Sequence, residues 1–123
     1  MTSARFYWCP TCKNIVGLIH GDGAKLQCCG KPMQEMEANT ADAAAEKHVP
    51  VVEKTEDGIR VSVGSTLHPM TEEHSIEWIY VASDDRGCRV QLEAGKPPAA
   101  DFPGVKEPIE VFAYCNLHGL WKA

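Results

Sequence analysis

The sequence lacks any long hydrophobic run and any excess of basic residues, and both absences exclude functions. No apolar stretch approaches the roughly 20 residues that a membrane-spanning helix needs, so no membrane partner is expected. Lys and Arg total 12 against 17 Asp and Glu, which gives a net charge of -5. Because nucleic-acid binding depends on clustered positive charge, a nucleic-acid partner is not expected either.

The first residues also lack the hydrophobic region of a secretory signal, since a cysteine motif begins as early as Cys9. We therefore expect a cytoplasmic protein. Reducing compartments keep thiols free, so the six cysteines among 123 residues are expected to bind metal rather than to form disulfides. At this length the chain should form one ordinary domain, or one small domain with an appendage.

The composition divides the chain near residue 38. Residues 1–37 contain four of the six cysteines, short apolar stretches and repeated glycines. This pattern predicts a few short strands joined by tight turns. Such a module is too small to be stable by core burial alone, because below about 40 residues a metal, a disulfide or a partner is usually needed. Its four thiols are Cys9, Cys12, Cys28 and Cys29.

These four thiols have the spacing of a metal site. Cys9 and Cys12 form a C-x-x-C step, in which a tight turn can direct both sulfurs to one ion. Cys28 and Cys29 are adjacent, so the backbone must bend locally for both to bind the same ion. Four thiolates suit tetrahedral zinc or iron and leave no place for a substrate, so the site would carry structure or an electron. A structural zinc site and a disulfide pair are the alternatives.

Residues 38–123 have the pattern of a β domain preceded by a short helix. Residues 39–47 are predicted to form one or two helical turns, because Asn39 or Thr40 could cap a helix and three alanines favour it. The helix should end near Pro50. The proline-rich residues 94–108 predict a surface loop. Strands are predicted around residues 51–52, 59–63, 76–82, 88–92 and 109–114, a spacing that indicates an antiparallel sandwich of the immunoglobulin-like type.

Four of the five histidines lie in this β region, each near the end of a predicted element, where the loops of a sandwich gather. They are His48, His68, His74 and His118. Taken singly, each would more often be a surface or core residue than a ligand, but their shared setting favours a site. His20 is left out as an exposed turn residue, and Cys88 as a half-buried thiol in a strand.

Cys115 lies three positions before His118, so four imidazoles and one thiolate are available to one metal ion. Structural zinc is almost always four-coordinate. Five ligands therefore favour a six-coordinate metal with one open position. A thiolate ligand donates electron density to the metal, as in cysteine-ligated haem enzymes. Such a site would suit small oxygen species.

Five stretches of the chain, taken in order, carry a family resemblance. They are Cys9-x-x-Cys12 with Cys28-Cys29-Gly30; Glu46-Lys47-His48-Val-Pro50; Val63-Gly-Ser-x-x-His68-Pro-Met70; Glu73-His74-x-Ile-Glu-Trp78; and Tyr114-Cys115-Asn-Leu-His118-Gly-Leu-Trp-Lys122. With these motifs, which cover nearly the whole chain, the sequence closely resembles the desulfoferrodoxins, the two-iron class of superoxide reductases. One departure is Lys13, where the family commonly has glycine; a positive φ there would be mildly strained.

The resemblance implies a mainly β chain of two domains. Residues 1–37 would be a desulforedoxin-like domain with iron bound by Cys9, Cys12, Cys28 and Cys29. Residues 38–123 would be an immunoglobulin-like sandwich with a mononuclear non-haem iron, bound equatorially by His48, His68, His74 and His118 and axially by Cys115. The resemblance further implies that Lys47 assists superoxide capture and protonation, that Glu46 can approach the oxidised iron, and that a homodimer takes electrons from a rubredoxin-type carrier.

The expected activity is the one-electron reduction of superoxide to hydrogen peroxide in oxidative-stress defence. A net charge of -5 repels superoxide at long range, so a local cation is needed, and Lys47 is the best-placed candidate. Three alternatives stay open. A superoxide dismutase would consume no reductant, a non-catalytic iron electron carrier or redox sensor would not react rapidly with superoxide, and a zinc-stabilised binding module would contain only zinc.

Overall fold

Short strands dominate the chain. The structure is a computed structural model that describes residues 3–84 and 86–123. Within these residues it has twelve strands and one short helix, α1 (Ala45–His48). None of the described helices is long and apolar enough to cross a membrane. The chain divides into two compact units, with the boundary between Glu37 and Ala38.

The N-terminal unit is built from five very short strands. They are β1 (Phe6–Trp8), β2 (Ile15–Gly17), β3 (Gln27–Cys28), β4 (Lys31–Pro32) and β5 (Gln34–Glu35). Strand β1 lies between β2 and β5 in one antiparallel sheet, and β3 pairs with β4 in a hairpin. The buried hydrophobic residues described here are Phe6, Tyr7 and Cys9. So small a core agrees with the expectation that this unit needs a cross-link.

The C-terminal unit is an antiparallel sandwich of the immunoglobulin-like type, as predicted. Its strands are β6 (Pro50–Lys54), β7 (Gly58–Val63), β8 (Ile76–Ser83), β9 (Arg86–Gln91), β10 (Ala99–Pro103), β11 (Ile109–Cys115) and β12 (Gly119–Lys122). One sheet has the order β10-β7-β6 and the other the order β12-β11-β8-β9. Alternate residues of β7, which are Ile59, Val61 and Val63, are buried against the inner residues of β8 and β11.

The predicted helix over residues 39–47 is wrong at its start. Helix α1 follows Ala44 and has no side-chain cap. Asn39 is unavailable as a cap because it has a φ of 62° and pairs with β12. Its Oδ1 accepts from the Lys122 N–H at 2.8 Å, and its Nδ2 donates to the Lys122 carbonyl at 3.0 Å. The pairing of Asn39 with Lys122, 83 residues away in sequence, therefore outweighs the local preference of Asn39 for a helix cap.

The predicted loop over residues 94–108 is also wrong in part, since it contains strand β10. This strand pairs with β7 from Ala99 to Pro103. Pro103, the one proline within β10, is tolerated because β10 lies at the edge of its sheet, where a missing N–H breaks no ladder bond on the open side. Cys88 agrees with its prediction, since it is half-buried on β9 and packs against the core.

Candidate metal centres

The first candidate centre is a cluster of four thiols in the N-terminal unit. The sulfurs of Cys9, Cys12, Cys28 and Cys29 all lie within 4.8 Å of one another. Cys9 and Cys12 flank the turn after β1, while Cys28 ends β3 and Cys29 lies in the hairpin turn. As the sequence predicted, the backbone bends between the adjacent cysteines, and Cys29 has a φ of 55°. Lys13, where the sequence predicted mild backbone strain, has a positive φ of 69°.

The distances between these sulfurs fit a metal ion and not a disulfide. The Cys12 and Cys28 sulfurs are 3.4 Å apart, and those of Cys28 and Cys29 are 4.0 Å apart. A tetrahedral ion with bonds of about 2.3 Å would place its sulfurs about 3.8 Å apart. A disulfide would require about 2.05 Å. The four free thiols therefore surround a tetrahedral position, with the adjacent pair slightly spread.

Hydrogen bonds and crowding shift the pKa values of these thiols in opposite directions. The backbone N–H groups of Cys12 and Thr11 lower the pKa of Cys9 to about 6. The neighbouring thiols, with Cys12 first, raise the pKa of Cys29 to about 12. Four adjacent thiolates repel one another, so all four ionise together only when a cation replaces their protons. The Asn14 amide adds one further donor, at 3.7 Å from the Cys28 sulfur.

The second candidate centre lies at one end of the sandwich, where three separate stretches of chain meet. His48 ends α1, His68 and His74 lie between β7 and β8, and Cys115 and His118 flank the turn between β11 and β12. The ligand atoms of His48, His68, His74 and Cys115 lie within 4.8 Å of one another. Nδ1 of His118 lies 3.2 Å from Nε2 of His48 and 3.9 Å from the Cys115 sulfur. All five predicted ligands are thus together.

Outer hydrogen bonds fix which imidazole nitrogens face the cluster. Nδ1 of His48 lies 2.8 Å from the Ala44 carbonyl, and Nδ1 of His68 lies 2.7 Å from the Pro69 carbonyl. A carbonyl oxygen only accepts, so in each neutral ring Nδ1 carries the hydrogen and Nε2 presents a lone pair. Backbone partners of this kind are typical of metal-binding histidines.

The inward nitrogens cannot all satisfy one another by hydrogen bonds. Nε2 of His48 and Nε2 of His68 are 3.1 Å apart, although both present lone pairs. Nε2 of His74 is buried without any partner, and such orphaned polar atoms are rare. A metal ion with bonds of about 2.1 Å would hold neighbouring nitrogens at right angles about 3.0 Å apart. The donor set therefore fits a cation.

Burial shifts the pKa values of three members of this cluster, which are His68, His74 and Cys115. His48 and His68 are 3% and 2% exposed, and Cys115 is fully buried. Burial lowers the pKa of His68 to about 4 and is also the main cause that lowers the pKa of His74. Burial raises the pKa of the Cys115 thiol. His68 and His74 are therefore neutral and ready to bind metal at neutral pH, while the thiolate of Cys115 needs a cation beside it.

Three supporting features of this site were not identified from the sequence. Asn116 joins the two ligand-bearing loops, since its Oδ1 accepts from the Ser75 N–H at 3.0 Å and its Nδ2 donates to the Glu73 carbonyl at 2.9 Å. Two groups in the turn after β7 donate hydrogen bonds to the carbonyl of Glu46. Trp121 stacks on His48. All three act across long sequence separations, and no local pattern signals them.

The fold and the two clusters together define a class of protein, a two-unit β protein with two mononuclear metal sites. Family models agree with this class over nearly the whole chain. The model described as "Desulfoferrodoxin, N-terminal domain" matches residues 2–36, and the model described as "Desulfoferrodoxin" matches residues 40–123. The chain belongs to the desulfoferrodoxin family.

Individual relatives agree with this assignment. A desulfoferrodoxin from Syntrophotalea carbinolica is 52% identical over 117 residues, which cover 95% of this chain and 93% of that protein. A desulfoferrodoxin from Nitratidesulfovibrio vulgaris is 48% identical over 117 residues, with the same coverage of 95% and 93%. The crystal structure of the superoxide reductase from Treponema pallidum is similar at a TM-score of 0.80 and 30% identity, and the match covers 99% of both chains.

Proposed function

We propose that this chain is a superoxide reductase, which catalyses the reaction superoxide + one electron + two protons → hydrogen peroxide. The observation that supports this most directly is the partly buried cluster of four imidazoles and one thiol, whose crowded inward nitrogens, with Nε2 of His74 left without a partner among the described residues, fit a cation. Its members, which we propose as the ligands of the catalytic iron, are His48, His68, His74, His118 and Cys115. When bound, the iron would supply the electron and an open position for superoxide.

The protein groups around this cluster have distinct proposed roles. Cys115 is buried and supplies the sulfur, so its thiolate would donate electron density to the bound iron. The carbonyls of Ala44 and Pro69 orient His48 and His68 and increase their basicity. These contacts preorganise the ligand set and leave little rearrangement for the reaction.

Lys47 is the proposed cation that captures superoxide. It is exposed and lies next to His48 on α1, and its charge contributes to lowering the pKa of His74. Its field therefore reaches the site, where it can attract an anion that the net charge of -5 would repel. The ammonium can also donate a hydrogen bond and a proton to the bound anion. Glu46, the exposed residue before it, is the group that we propose approaches the oxidised iron.

Replacing Lys47 tests the capture step. Lys47→Ala should lower the second-order rate constant for superoxide by about tenfold to a hundredfold, because focusing by a local charge accounts for factors of this size. Iron content should stay unchanged, since Lys47 is not one of the proposed ligands. Pulse radiolysis at low ionic strength measures the rate. Lys54→Ala, which removes an exposed lysine at the far end of β6, is the matched control. Equal rates for Lys47→Ala and the parent protein would refute this role.

For the four-sulfur centre we propose an accessory role, because four sulfurs leave no position for a substrate. Cys12→Ser should remove the visible absorbance of this centre and leave the superoxide rate at the other site within about twofold. Absorption spectra and pulse radiolysis on the same preparation measure both properties. A variant that loses superoxide reduction along with the absorbance would show that the two centres depend on each other.

Anaerobic metal analysis of protein from its native source separates this proposal from a zinc-stabilised binding module, which would contain only zinc. An iron electron carrier or redox sensor would contain iron but show no fast reaction with superoxide.

The rubredoxin-type donor, the homodimer and the cytoplasmic location stay predictions. If the donor prediction is right, a purified rubredoxin should reduce the oxidised protein within the time of one turnover of superoxide reduction.

A further inference from the structure

Trp121 makes two separate contacts to the second metal cluster. It lies on β12 and is only 2% exposed. Its ring stacks on His48 with the centroids 4.7 Å apart and the planes at 26°. Its Nε1–H donates to the carbonyl of His118 at 3.1 Å. One side chain therefore contacts two of the proposed ligands, and it uses a different part of the indole for each.

The stacking contact restricts the ring of His48. On one edge of this ring, Nδ1 bonds to the Ala44 carbonyl. The indole covers one face, and His68 meets the ring edge-on with centroids 4.6 Å apart. Rotation of the imidazole would break the hydrogen bond and open a gap against the indole. These contacts therefore hold Nε2 in the direction of the cluster.

The hydrogen bond restricts His118 in a different way. His118 faces the cluster through Nδ1, the ring nitrogen nearer to the backbone, and not through Nε2. A ligand atom so close to the main chain moves with it, so a small shift of the turn displaces the nitrogen directly. The bond from the indole to the His118 carbonyl closes this turn just before Gly119, which has a φ of 80°.

We infer that Trp121 is a positioning residue that holds His48 and His118 in the geometry required for metal binding. The inference deepens the proposed function, since it concerns the same site. Partners that orient a metal ligand typically change metal affinity by about 10–100-fold when they are removed. The indole supports two ligands at once, so the effect should lie within or above that range.

Two substitutions separate the two contacts. Trp121→Phe keeps an aromatic ring against His48 but removes the N–H donor, and Trp121→Leu removes both. Trp78→Phe is the matched control, because Trp78 is 7% exposed in the same unit and stacks on Tyr114 instead of a proposed ligand. The absorbance of the four-sulfur centre in each preparation confirms that the protein has loaded iron.

The measurements are chelator competition for ferrous iron at the second site and the electron paramagnetic resonance spectrum of its ferric form. We expect an affinity loss of about tenfold for Trp121→Phe and a larger loss for Trp121→Leu, with a broadened ferric signal in both. Trp78→Phe should match the parent protein in both readouts. If Trp121→Leu does not fold, Trp121→Phe decides the question alone.

Two results would overturn the inference. One is an iron affinity and a ferric signal equal to those of the parent protein in Trp121→Phe and, if it folds, also in Trp121→Leu. The other is an equal loss in Trp78→Phe, which would show general destabilisation instead of positioning. Failure of the proposed function has a different signature, because the parent protein itself would then either hold no iron at the second site or hold iron and show no fast reaction with superoxide.

Discussion

Cys115→Ala should abolish superoxide reduction while the four-sulfur centre keeps its absorbance. Cys115 provides the only sulfur in the second cluster, and it is fully buried at the end of β11. Its loss would remove the thiolate that would donate electron density to the bound iron. The rate should fall by more than about 100-fold, which exceeds the effect of removing a residue that only supports a ligand.

The fold should survive this change. Cys→Ala removes a single buried heavy atom, and a comparable deletion of one methyl group costs about 1 kcal/mol. Cys88→Ala is the matched control, since Cys88 is a half-buried thiol on β9 of the same unit and is not part of either cluster. Pulse radiolysis and visible spectra of both variants decide the outcome. A Cys115→Ala protein that reduces superoxide at the parental rate would remove the thiolate from the mechanism.

Gly64→Ala should destabilise the C-terminal unit and disturb the segment that carries Lys47. Gly64 has a φ of 89°, and a Cβ there would lie 2.3 Å from the Thr66 carbonyl oxygen and 2.7 Å from that of Lys47. The turn that starts at Gly64 normally holds α1, since the Thr66 N–H donates to the Glu46 carbonyl at 3.0 Å. The substitution therefore forces this turn away from the helix.

Backbone strain and steric overlap both contribute to the expected loss. A positive φ alone costs about 1–2 kcal/mol for a non-glycine residue. Gly95→Ala measures the cost of a positive φ alone. Gly95 has a φ of 88°, and a Cβ added there would have no described atom within 4 Å. Gly64→Ala should lower the unfolding free energy by clearly more than Gly95→Ala does, and it alone should slow the reaction with superoxide. Urea unfolding and pulse radiolysis measure the two effects, and equal losses in both variants would contradict the account.

The residues that form the two clusters could be selected from the sequence because their signals are local. Both cysteine motifs have short spacings, His48 ends α1, and the other three histidines of the second cluster lie in connections between strands, where loops meet. The bend at Cys29 also follows from local reasoning, because adjacent side chains cannot face one ion without it. The sandwich was predictable because β7 alternates regularly and β8 and β11 are rich in β-branched and aromatic residues.

The remaining features depend on contacts between distant parts of the chain. Asn39 resembles a helix cap in sequence, but it is used by β12, so the helix begins later than predicted. The choice of Nδ1 in His118 follows from the geometry of the turn between β11 and β12. The bonds that Asn116 makes to Glu73 and Ser75 join residues that no periodicity connects. Such pairings are visible only in the folded chain.

The stoichiometry of superoxide consumption tests the central proposal most directly. The iron-loaded protein would receive a known amount of superoxide in the presence of an excess of reduced donor, and hydrogen peroxide and oxidised donor would both be counted. A superoxide reductase produces one peroxide for each superoxide and oxidises one electron equivalent of donor. One peroxide for every two superoxides, with the donor unchanged, would identify a dismutase and contradict the proposal.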